Sequence, residues 1–125
     1  MKKASKEYIR KQADKALQDY IRAKHKDELC WVCGERPITC GHHFYPVSNS
    51  NATRYYIPNL IPICKECHSK VHTQPHLVHP TICFKLGQEW EQDLLEVKQR
   101  GQKFTKEWVE TNLKILQELL AEQKG

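Results

Sequence analysis

Cys30-x-x-Cys33 and Cys64-x-x-Cys67 supply four thiols in two matched pairs. A Cys-x-x-Cys turn aims two sulfurs at one point, and two such turns complete a tetrahedral zinc site. The stretch between the pairs is longer than in a simple zinc ribbon. It is long enough to hold a hairpin that the metal clamps at its base. Redox-active thiols are the alternative, but they need one pair on a thioredoxin-like strand and helix pattern, which this chain lacks. Cys30, Cys33, Cys64 and Cys67 are therefore read as ligands of a structural Zn²⁺. Cys40 and Cys83 are left over and read as small buried hydrophobes.

Between the pairs lies "CGHHFYP", residues 40–46. Adjacent residues on a strand leave opposite faces, so His42 and His43 cannot simply grip one ion together. Downstream, "CKECHSKVH" reads as a short helix that puts His68 and His72 four residues apart on one face. Two such histidines plus a third ligand from the hairpin would hold a metal with open positions for phosphate and water. One of His42 and His43 can be that third ligand. The other can act as a general base, since an ordinary histidine titrates near neutrality. Arg54 in "NATRYY" is a candidate contact to the neighbouring phosphate, weighed against a solvated loop charge. His76 and His79 flank prolines and read as solvated loop residues.

These side chains need elements to carry them. Ala4, Tyr8, Ile9, Ala13, Ala16, Leu17, Tyr20 and Ile21 recur at helical period, predicting an amphipathic helix over residues 4 to about 24. Lys3, Lys6, Arg10, Lys11, Lys15, Arg22 and Lys24 fall mainly between them, as a solvated face or as a basic face for phosphates. "TCGHHFYPV" and "RYYIPNLIPIC" read as two short extended segments, joined through the polar loop "SNSNAT". "TQPHLVHPT" breaks the pattern at Pro75 and Pro80. Residues 81–100 and 105–122 then read as two helices, with Gly101 a stop and Thr105 an N-cap. Leu86, Trp90, Leu94 and Val97 form the apolar stripe of the first. Trp108, Leu113, Leu116, Leu119 and Leu120 form that of the second.

A chain of 125 residues suits one domain, read here as residues 1–125. Its parts are a basic N-terminal helix (1–29), a metal-bound core (30–72) and C-terminal helices (73–125). The net charge is +5, a mild bias toward polyanions such as DNA. The basic N-terminus is followed by no apolar core, and no apolar run spans a bilayer, so the expectation is a cytoplasmic protein with no membrane partner. Such a reducing compartment favours metal ligation over disulfides. The oligomeric state is left open, a dimer included.

"CWVC", "GHHF", "NLIPICKECH" and "SKVH" together resemble the HNH, or ββα-metal, endonucleases. The resemblance implies an α+β fold: a zinc-clamped ββα-metal core with a long N-terminal helix and two C-terminal helices. It implies that His43 is the general base, that His42, His68 and His72 hold a divalent catalytic metal such as Mg²⁺ or Mn²⁺, and that Asn59 orients the hairpin and the base. The implied activity is hydrolysis of DNA phosphodiesters, leaving 5′-phosphate and 3′-hydroxyl ends. Over more of the chain, "KALQDYIRAKHKDELCWVCG", "NATRYYIPN" and "KLGQEWEQDLLEVKQRGQKFT" are similar to the phage NinG/Rap recombination proteins, which implies branched recombination intermediates as substrate. A non-catalytic, zinc-stabilised module that binds DNA or protein is the competing expectation. It leaves the four histidines without a task, because four thiolates already suffice for zinc.

Overall fold

The computed structural model describes residues 4–124, so Lys3 of the basic face lies outside the described residues. The fold is α+β, with five α-helices and one two-stranded sheet among those residues. Helix α1 (Lys6–Lys24) starts at Ser5, whose hydroxyl accepts the Tyr8 N–H at 3.1 Å. That hydroxyl satisfies one of the donors a helix start leaves orphaned. Its buried stripe is Ile9, Ala13, Ala16, Leu17, Tyr20 and Ile21, as the period predicted. The stripe packs against α5 (Lys106–Lys124) through Val109 and Leu116. Thr105 caps α5 by accepting the Trp108 N–H at 3.1 Å.

The two strands are β1 (Cys40–His43) and β2 (Leu60–Ile63), antiparallel, with His42 opposite Ile61 and His43 opposite Leu60. The extended segment expected from residue 54 begins later. Ile57–Asn59 forms a 3₁₀ turn, with Pro58 inside it, and only then does β2 start. The hairpin divides two apolar clusters. Leu60 joins the α1–α5 cluster, while Ile61 and Ile63 join one built from Cys30, Cys64, Cys67, Val71, Val78 and Ile82. All four β2 residues are buried, because each face of the strand has a core to meet.

Helix α1 locks onto β1 at Gly41. The Gln18 amide accepts the Gly41 N–H at 2.8 Å and donates to the Gly41 carbonyl at 2.9 Å, as a neighbouring strand would. A Cβ on Gly41 would stand 3.2 Å from two Ile21 side-chain carbons and 3.3 Å from Leu60, so a larger residue at this crossing would push those side chains aside.

Helix α2 (Lys65–Thr73) follows β2 directly, and the next segment departs from expectation. The residues read as a proline-broken loop form α3 (Pro75–Leu86). Pro75 sits in the first turn, where a missing N–H costs nothing. Pro80 lies inside the helix at the expense of one intrahelical bond, and burial of Val78 and Ile82 carries the helix through it. The single helix expected over 81–100 is instead split at Gly87, whose φ of 90° few other residues adopt. Helix α4 (Gln88–Arg100) begins there and stops at Gly101 as anticipated. Three helices therefore follow α2, not two. No helix of the described residues is long and apolar enough to cross a membrane.

Candidate metal centre and histidine cavity

Cys30 and Cys33 lie on the turn before the hairpin, and Cys64 and Cys67 at the start of α2. Their four sulfurs all fall within 4.8 Å of one another, the one such convergence of three or more metal-ligating residues among the described residues. Cys33 and Cys64 Sγ are 3.9 Å apart. A tetrahedral ion with Zn–S near 2.3 Å spaces its sulfurs by about 3.8 Å, so the cluster has the right size. Backbone N–H groups of Val32 and Cys67 point at the Cys30 and Cys64 sulfurs, each at 3.4 Å, favouring thiolate charge. Burial pushes the Cys64 and Cys67 thiols up, and neighbouring sulfurs push Cys67 further. Burial pushes Cys33 the same way, but the Glu35 and Arg36 N–H groups outweigh it and bring the thiol down to about 6. Packed thiolates of this kind need a cation, and the cluster can hold a structural metal such as zinc.

The histidines are arranged more loosely. Four of them, His42 on β1, His68 and His72 on α2, and His79 on α3, border one cavity of about 600 Å³. His68 and His72 Nε2 lie 3.0 Å apart, and His42 and His79 Nε2 lie 3.3 Å apart. The ring centres of His42 and His68 are 5.9 Å apart, and those of His42 and His72 are 6.1 Å apart. Thus His42, His68 and His72 are brought to one cavity, but meet in pairs rather than at a point. Cys40 stands 3.4 Å from His68 Nδ1 and well apart in role from the thiolate cluster. Burial, then the neighbouring His79, His68 and His72, hold His42 down to about 3. Burial lowers His68, reinforced by His72, and burial alone lowers His79. The lowering favours the neutral imidazole in His42, His68 and His79, the form that binds metals. His79 was expected in a solvated loop. It is half-buried because Pro75 starts a helix, and that helix turns the ring onto His42.

His43 borders the same cavity but turns to a different partner. Its Nε2 lies 2.9 Å from the Arg54 carbonyl. A carbonyl only accepts, so Nε2 carries the proton and Nδ1 remains basic. Burial lowers the His43 pKa against the pull of that carbonyl, which favours the unprotonated ring.

Asn59 is fully buried. Its side chain accepts the Tyr45 N–H at 2.9 Å and donates to the Tyr45 and Thr53 carbonyls at 3.2 and 3.1 Å. It ties both ends of the hairpin loop beside the carbonyl that holds His43. Arg54 is placed differently from expectation. Its guanidinium donates to Asp14 of α1 at 3.1 and 2.8 Å and is mostly buried, so it faces a partly exposed carboxylate of the protein's own rather than a phosphate. Tyr55 donates to the same Asp14 at 3.0 Å. Sequence reading missed Asp14, since it falls inside an ordinary amphipathic helix. Three of the six described residues of the α1 basic face are in ion pairs: Arg10 with Glu7 and Asp14, and Lys15 and Arg22 with Asp19.

A family model described as bacteriophage Lambda NinG protein matches residues 1–124. The chain belongs to the NinG family. The match runs through both cysteine pairs, the histidines of the cavity and all five helices of this NinG-family chain. Neither the curated proteins nor the solved structures contain a match.

Proposed function

We propose that this NinG-family protein is a metal-dependent DNA endonuclease with an HNH-type ββα core, formed by β1, β2 and α2. The observation that carries the reading is the division of labour in "GHHF". His42 turns to the histidines of α2 and α3, while His43 turns to the Arg54 carbonyl, and both border one cavity. In this reading His43 Nδ1 takes a proton from the attacking water. Asn59 and the Asp14–Arg54 pair fix the loop whose carbonyl orients His43. A divalent ion bound by His42, His68 and His72 would supply Lewis-acid stabilisation of the phosphoryl oxygens. Arg22, which pairs with Asp19, is the cationic side chain that lines the cavity and could meet a phosphate. Branched recombination intermediates are the substrates that the sequence resemblance suggests, with contacts mainly to the phosphate backbone.

The test is cleavage of Holliday junctions, flaps, single strands and linear duplex, with Mg²⁺, Mn²⁺, Ni²⁺ or Zn²⁺ in turn. Metal-dependent cleavage that His43→Ala abolishes supports the reading. DNA binding with no cleavage under any ion would favour the non-catalytic module.

A further inference from the structure

His79 lies outside the hairpin and α2, on a helix that the sequence did not suggest. Its Nε2 stands 3.3 Å from that of His42. Two nitrogens on one tetrahedral zinc-type ion, each at about 2.0–2.1 Å, are separated by about 3.3–3.4 Å. The His68–His72 pair, at 3.0 Å, supplies a second, slightly shorter edge of the same size class. Between pairs the ring centres stand 5.9 and 6.1 Å apart, a little wider than the about 5 Å that two imidazoles take on one ion. His72 is exposed but already paired with His68, so an ion shared by the two pairs would have to draw them together by rotation of the rings. Phe44 packs on the His79 ring with centres 4.9 Å apart and holds it toward His42.

The cavity's composition is equally informative. Its charged and ligating residues are histidines, Cys40 and Arg22, and no aspartate or glutamate borders it among the described residues. Mg²⁺ binds through carboxylates and water in a near-octahedral oxygen shell. Imidazole donors suit zinc, nickel, cobalt and copper instead. We propose that His79 is a fourth ligand of the histidine site, and that the site takes a nitrogen-preferring transition-metal ion rather than Mg²⁺. The inference rests on His42, His68 and His72 being ligands, as in the function proposed above. Zinc-type ions expand to five ligands, so four imidazoles still admit a phosphate oxygen.

The experiment is a Co²⁺ titration of protein whose cysteine cluster is already filled with Zn²⁺, followed by visible absorption and calorimetry. The parent is expected to bind one further ion with pseudo-tetrahedral bands. His79→Ala and the milder His79→Gln are expected to weaken binding at least about tenfold and to change the bands. Removing a mere supporting group around a metal already costs about 10- to 100-fold. His76→Ala, an exposed neighbour on the same helix, should bind like the parent, and millimolar Mg²⁺ should not compete. Circular dichroism and melting of each variant identify any that fails to fold, and His79→Gln preserves size and polarity at the site. Parent-like affinity and bands in both His79 variants, or displacement of Co²⁺ by Mg²⁺, would overturn the proposal. If His42→Ala alone abolishes binding, the fourth ligand falls and the three-histidine site stands. If the parent takes up no further ion, both fall together.

Discussion

The cysteines and the histidines occupy the same short stretch of chain, yet the structure treats them differently. The thiolates converge within 4.8 Å at the base of the hairpin, while the histidines meet in pairs across a cavity of about 600 Å³. Cys67 and His68 are adjacent, and about 100° of helical turn sends one to each site. A closed four-sulfur cluster leaves no coordination position for a substrate, and that is the mark of a structural site. A looser set of imidazoles beside a cavity leaves room for another molecule. The contrast teaches that one helix can anchor a fold with one residue and present chemistry with the next.

Removing a thiolate should have the largest effect. Structural zinc in small domains contributes about 10–16 kcal/mol of apparent binding energy, comparable to the whole stability of a domain. Cys64→Ala, or a strong chelator, is expected to abolish the cooperative melting transition and the bound zinc, measured by calorimetry and elemental analysis. A sharp, unchanged transition in metal-free protein would erase the contrast between the two sites.

His43→Ala should leave fold, metal affinity and DNA binding intact while slowing cleavage by about 10²- to 10⁴-fold, the usual loss with a general base. His42→Ala should instead lose metal affinity, with partial recovery of rate at excess metal. Cleavage rates beside metal titrations of both variants separate the two roles. If His43→Ala loses the metal while His42→Ala keeps it, the assignments are reversed.

Asn59→Ala is expected to be smaller but clear. It leaves the Tyr45 N–H and two loop carbonyls without their partner. Unpaired buried polar groups cost about 1–3 kcal/mol each, so the three together predict a loss of at least about 3 kcal/mol, read as the shift of a urea midpoint. Loss of cleavage well beyond that destabilisation would tie Asn59 to the orientation of His43.

The mildest effect is pH dependence. His42 is held near 3 in the fold, against about 6.5 in an unfolded chain. Between those values the unfolded chain binds a proton that the native protein refuses, so stability falls as pH drops through that window and is fully present above it. His43, His68 and His79, also lowered by burial, act in the same direction. Melting temperatures from pH 7.5 to 5 should therefore decline, and His42→Leu should decline less steeply. An identical slope in that variant would mean that the cavity histidines are more solvated than their packing indicates.

Much of this was written in local patterns. The apolar period of α1, the Ser5 and Thr105 caps and the Gly101 stop depend on neighbours a few residues away, and so does each Cys-x-x-Cys turn. The sequence therefore determined α1, α2, α5, the end of α4 and the likeness of the two cysteine pairs to a single tetrahedral site. Only the tertiary structure decided what lies far apart in the chain. Val78 and Ile82 find a core, and that burial turns a proline-marked stretch into α3 and carries His79 to His42. Asp14 meets Arg54 across 40 residues and pairs its charge. Local rules see torsions and periodicity, whereas burial and charge pairing depend on which surfaces meet, and no local pattern specifies that.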